Sequence, residues 1–193
     1  MSDELMPPST SSDSTLTFIP PPTDKPPLHS INDITISPQS LQSGWVGLIQ
    51  CYEHLDPVPD MEVTYQYKAM RKLTITKSHQ IEQARVKGQS VQMSNVGKNA
   101  QLCISAEVRI FYINKDESYR LVNGPFHRQF LDSFFPYHLT LKVNYPSSQL
   151  TFVNSKPPSQ PGFKVEQTIN SLLIDSVFTG KLYTELTFRP VSP

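Results

Sequence analysis

The chain has no excess of charge of either sign. Lys plus Arg number 17 and Asp plus Glu number 17 over 193 residues. Such a balance argues against a dedicated nucleic-acid groove, whose surface is normally visibly basic. Glycine is scarce at 7, and two cysteines, Cys51 and Cys103, are too few for a disulfide framework. No apolar run approaches the roughly 20 residues of a membrane-spanning helix, and the N-terminus has no apolar core of a signal peptide. Nucleotide and hydrolase fingerprints (G-x-S-x-G, the P-loop, G-x-G-x-x-G) are missing. The five histidines, His29, His54, His79, His127 and His138, include no i, i+4 pair, so their spacing points to no metal site. A cysteine–histidine nucleophile would have to be assembled from parts that the sequence does not place together. No enzyme and no cofactor are expected.

Proline is what the chain does have, and seven of its 18 fall in the first 27 residues. Interleaved with Ser and Thr, they bury too little to offset the entropy of ordering, so residues 1–29 read as a disordered arm and 30–193 as one globular domain. The arm's apolar island, Leu16, Phe18 and Ile19, has the form of a short docking motif. After it, Ser37 and Pro38 form a helix start. Leu41, Trp45, Leu48, Ile49, Tyr52 and Leu55 then lie on one helical face. Gly44 and Gly47 each cost about 1 kcal/mol inside a helix, which leaves a strand over 45–52 as the alternative; the helix is preferred. A second short helix is expected over 125–134, with Phe126, Phe130 and Phe134 on one face. Elsewhere the period is two: Val63 to Ile75, Leu102 to Tyr112, Leu139 to Tyr145, Phe163 to Ile169, Leu172 to Phe178 and Leu182 to Phe188. The fold class that follows is α+β, an antiparallel sheet packed with one or two amphipathic helices.

Charge is distributed unevenly. Asp3, Glu4, Asp13 and Asp24 face only Lys25 in the arm, leaving it at −3 and the body at +3. Lys68, Arg71, Lys72, Lys77, Arg85 and Lys87 stand against Glu82 alone, a net +5 within twenty residues. Such a strip attracts anionic lipid headgroups at roughly 1 kcal/mol per basic residue, or a nucleoprotein; it is equally what an ordinary solvated strand face looks like.

Three stretches together resemble the matrix proteins of rhabdoviruses. Gly47-Leu48-Ile49 is followed by Pro57-Val58-Pro59-Asp60 and then by the basic strand Tyr67-Lys68-Ala69-Met70-Arg71-Lys72-Leu73-Thr74-Ile75, similar to a lyssavirus-type pattern. Phe126-x-Arg128-x-Phe130 follows Cys103 with 22 residues between and is followed by an alternating strand from His138, which resembles the layout of vesiculovirus matrix proteins. The resemblance spans roughly 45–145. It implies a non-enzymatic virion protein beneath the envelope, in the host cytoplasm and at the membrane periphery. Such a protein self-associates, condenses the viral nucleocapsid, contacts anionic inner-leaflet lipid and the glycoprotein tail, engages host sorting or export factors, and drives budding. Two departures stand out. The first 24 residues carry no Lys or Arg, unlike the family's lysine-rich arms, and Pro20-Pro21-Pro22-Thr23 has Thr where a P-P-x-Y budding signal needs Tyr. Asp3-Glu4-Leu5-Met6 only faintly resembles the family's export-blocking segment. The competing expectation is a β-sandwich interaction or adhesion module on a Pro-rich stalk, as in a bacterial envelope protein.

Overall fold

The computed structural model describes residues 15–191. Strand residues make up 67% of the chain and helix 2%, so the fold is β-sandwich-like and the expected α+β class is corrected. The strands are β1 (Thr17–Phe18), β2 (Leu28–Thr35), β3 (Trp45–Glu53), β4 (Asp60–Thr64), β5 (Met70–Lys87), β6 (Ser90–Arg109), β7 (Phe111–Ile113) and β8 (Tyr119–Phe126). They continue with β9 (Arg128–Phe130), β10 (Ser133–Phe135), β11 (Tyr137–Asn144), β12 (Leu150–Lys156), β13 (Phe163–Gln167), β14 (Ser171–Thr179) and β15 (Leu182–Pro190). Among the described residues the single helix, α1, is the one turn Ser40–Ser43.

The large sheet runs β1-β14-β11-β2-β3-β6-β4, with β13 added to β14 and β5 to β6; the small sheet runs β12-β15-β8-β7. All pairings are antiparallel except β2 with β11. Alternation explains the core. Leu139, Leu141 and Val143 of β11 and Leu172 and Ile174 of β14 point inward and are fully buried, opposite Leu182, Leu186 and Phe188 of β15. Burying these apolar faces against each other contributes roughly 1.5–3 kcal/mol per large side chain.

Both expected helices are strands. The first stops after one turn because Gly44 adopts a left-handed φ of 74° and caps it. Beyond that glycine the chain alternates, with Val46, Leu48, Gln50 and Tyr52 buried. The helical reading arose because the inward residue Gln50 is polar while outward Ile49 is apolar and 54% exposed. Over 125–134 the three phenylalanines do not share a face. Phe126 and Phe134 are buried, whereas Phe130 is 69% exposed beside a turn in which Leu131 has φ 53°. That segment forms the β9–β10 hairpin.

Two edges of the large sheet are closed in different ways. The apolar island of the arm lies on the sheet: Thr17 and Phe18 pair with Thr179 and Phe178, Ile19 N–H donates to the Val177 carbonyl at 2.9 Å, and the Phe18 ring packs on Phe163 at 5.4 Å. At the opposite side β5 is an edge strand for its whole length, since β3 and β4 occupy the other flank of β6. Three register shifts interrupt it, two of them at Lys72 and Gln80, which both have positive φ. Bulges and lysines on an edge are the ordinary means of blocking edge-to-edge aggregation.

Candidate functional site

The most developed concavity is a cavity of about 860 Å³ under the β9–β10 hairpin, within the size range of small-molecule sites. Its floor comes from the inner face of the large sheet, through Gln50 and Tyr52 of β3 and Tyr137 of β11. Its walls come from β4 and the segment after it, including Val63, Tyr65 and Tyr67, and from Asn123 to Leu131 of β8 and the hairpin.

The floor carries a buried polar cluster. Asn32 and Gln50 both donate their side-chain amides to Ser30 Oγ, at 2.8 and 3.0 Å. Their carbonyl oxygens, Oδ1 and Oε1, are left without partners. Across the cavity Asn123 Oδ1 accepts from Tyr67 OH at 3.0 Å and from Gly124 N–H at 2.9 Å, while its Nδ2 is unpartnered. The Tyr65 phenol lies against that of Tyr52, and the His127 ring against the Pro125 backbone. Leaving a buried polar atom unpaired costs about 1–3 kcal/mol, so an unpaired acceptor, Gln50 Oε1, and an unpaired donor, Asn123 Nδ2, on the lining of one cavity call for a partner.

The interior is electrically neutral. Burial pushes the Tyr52, Tyr65 and Tyr67 phenols well up, and it pushes Tyr137 up to about 12. All four remain protonated donors near neutrality. Burial, then nearby Lys181, lowers His127 and favours its uncharged ring. Ionised groups stay at the more exposed margin. There Arg128 of the hairpin pairs with Asp56, which also takes Lys25 at 3.1 Å. The Arg128 guanidinium lies 5.3 Å from the Phe135 ring centre. Asp56 thus ties the base of the hairpin to the chain after β3, while the hairpin tip, Phe130 and Leu131, is exposed at 69% and 79%.

Of the residues singled out from the sequence, Tyr52, Leu55, Tyr67, Phe126, His127, Arg128 and Phe130 line this site, together with Val58 and Asp60 of the Pro57–Asp60 segment, whereas the basic strip and the arm's apolar island lie elsewhere. Lys68 precedes β5, and Arg71, Lys72, Lys77, Arg85 and Lys87 lie along that edge strand, all exposed. Lys72 and Arg71 both grip Glu107 and hold its carboxyl below the usual range. Arg71 also stacks over Trp45 at 4.2 Å, and Lys77 donates to Gln101 at 2.7 Å. Pro20 to Thr23 form part of the connection between β1 and β2. Asp3-Glu4-Leu5-Met6 lies outside the described residues. Cys51 and Cys103, too few for a disulfide framework, face each other on β3 and β6 and form one disulfide, so neither offers a thiolate nucleophile in this state. Among the described residues no helix is long and apolar enough to cross a membrane.

Comparison with known proteins adds no identity: no protein-family model and no curated protein matches the chain.

Proposed function

We propose that this chain is a non-catalytic β-sandwich binding module of an oxidising compartment, and that its cavity takes a neutral, largely apolar small molecule with at least one hydrogen-bond donor and one acceptor. The observation that carries this reading is the aromatic-lined cavity with buried, unpaired Gln50 Oε1 and Asn123 Nδ2. An acceptor and a donor on facing walls orient a ligand, while the absence of a buried ionised group there disfavours a charged one. The Cys51–Cys103 disulfide supports the compartment, because such bonds are rare where glutathione keeps thiols reduced.

The uncharged fluorescent aromatic amine N-phenyl-1-naphthylamine serves as the probe. Saturable micromolar binding with enhanced emission is expected, and Val63→Trp, which fills the cavity from β4, should weaken it at least tenfold without lowering the melting temperature by more than a few degrees. A probe that fails to saturate, or that binds Val63→Trp as well as the parent chain, overturns the assignment.

The viral matrix scaffold stands as a second reading, supported by the outward basic residues of β5 and opposed by the disulfide's preference for an oxidising setting. It predicts self-assembly at low salt and co-sedimentation with phosphatidylserine-containing vesicles. Both should be suppressed by high salt and by the triple reversal Lys77→Glu, Arg85→Glu and Lys87→Glu. A chain that stays monomeric and ignores such vesicles eliminates it.

A further inference from the structure

The outer face of the large sheet, away from the cavity, gathers a second set of chemically capable side chains. His29 of β2 and His138 of β11 are register partners in the one parallel pairing of the fold. Asp175 of β14 is the register partner of Thr140, two residues along β11 from His138. Ligand atoms of His29, His138 and Asp175 all lie within 4.8 Å of one another. We infer that these three residues form a binding site for a borderline first-row divalent cation of the Zn²⁺ class.

Three features of the geometry carry the inference. First, the donors converge. His138 Nε2 is 2.9 Å from Asp175 Oδ2, Thr140 Oγ1 donates to the same oxygen at 2.8 Å, and His29 Nε2 is 2.8 Å from Thr140 Oγ1. Hydrogen bonds hold together the atoms that an ion would join, and a dication there would displace the shared protons, with one of its two charges balanced by the Asp175 carboxylate. Second, the donor set suits the metal. Two imidazoles and one carboxylate match the nitrogen and oxygen preferences of Zn²⁺, Cu²⁺ and Ni²⁺, and leave a coordination position for water. Third, an orienting carboxylate is already present. With Nε2 turned to the ion, His29 presents Nδ1 to Glu53 Oε2, 3.8 Å away, and Glu53 accepts from Gln101 Nε2 at 3.3 Å. Closing that 3.8 Å gap by about 1 Å as the His29 ring turns would complete the carboxylate–histidine–metal arrangement which fixes tautomer and ring orientation in metal sites. The imidazoles stack at 3.8 Å, so ligation requires the rings to swing out of parallel until both lone pairs meet the ion. The exposed side of the cluster, where Asp175 is 56% accessible, leaves room for that rotation.

The test is calorimetric titration of the full, chelator-stripped chain with zinc chloride. One equivalent is expected to bind with micromolar or better affinity. His29→Asn and His138→Asn should each weaken uptake at least 100-fold. Glu53→Gln, which acts through His29, should weaken it about tenfold, whereas His79→Asn and His127→Asn should leave it unchanged. Should the histidine variants fail to fold, the parent chain loaded with one equivalent of Cu²⁺ is expected to give a paramagnetic resonance spectrum with coupling to two imidazole nitrogens. No saturable zinc uptake, uptake indifferent to loss of both histidines, or a copper spectrum lacking that coupling overturns the site.

Discussion

Phe188→Ala is expected to lower the unfolding free energy by about 4 kcal/mol, the range for truncating a fully buried aromatic. Phe188 projects from β15 of the small sheet with 0% exposure. Its ring meets Phe111 at 6.1 Å and Phe152 at 5.9 Å, both edge-on, and Tyr145 at 5.2 Å. Tyr145 follows β11 in the large sheet, so Phe188 is where an aromatic cluster joins the two layers. Alanine removes the apolar area and three ring contacts, each worth about 0.5–1.5 kcal/mol beyond burial, and it leaves a cavity that the surrounding strands cannot collapse into. The melting temperature should fall by roughly 12 °C for a chain of this size. Urea unfolding gives the free energy directly, and Tyr183→Ala, on the same strand but 57% exposed, should shift it by less than about 0.5 kcal/mol. Equal losses at both positions would mean that Phe188 does not bridge the sheets.

Replacing Cys51 and Cys103 together by serine is expected to cost about 3 kcal/mol. The two residues are in register across β3 and β6 and 52 positions apart in sequence, so the bond closes a loop that contains β4, β5 and the first part of β6. Both lie half-buried on the outer face of the large sheet, and two serine hydroxyls are accommodated there without opening a core cavity. The loss therefore arises mainly in the unfolded chain, which regains the freedom of that loop. Reductant should bring the parent chain to the same stability and leave the double variant unaffected. Far-UV circular dichroism should be superimposable below the transition. A parent chain whose urea midpoint ignores reductant would show that the bond contributes nothing.

Much of the fold is legible as alternation. In the last third of the sequence the alternating runs read from Leu139 to Phe188 coincide with β11, β13, β14 and β15, although buried Ser176 and Thr184 and exposed Leu173 and Tyr183 break the pattern locally. In the same third β12, with exposed Val153 and buried Ser155, does not read as a strand. Alternation fails where function or exposure reverses polarity. In β3, buried Gln50 and exposed Ile49 exchanged their usual places and mimicked a helical stripe. In the β9–β10 hairpin, Phe130 faces solvent at the spacing of a helix face. Neither candidate site is written in local spacing. The cavity needs Gln50 of β3, Asn123 of β8 and Tyr65 just after β4, and the cation site needs residues 29, 138 and 175, which only the parallel pairing of β2 with β11 and the antiparallel pairing of β11 with β14 bring together. The basic strip was visible as composition, but its place on an edge strand with three register shifts was not, and that place supplies a structural reason for the lysines.

The position of β2 also has a mechanical meaning. It is the first long strand after the arm, held by β11 over all eight of its residues and by β3 over seven, His29–Thr35. Tension applied through the arm first peels off the two residues of β1. It then acts along the axis of β2, where the hydrogen bonds on both flanks are sheared together instead of opening one at a time. A molecule anchored by its N-terminal end thus yields a short length of chain at low load and resists sharply from Leu28 onward.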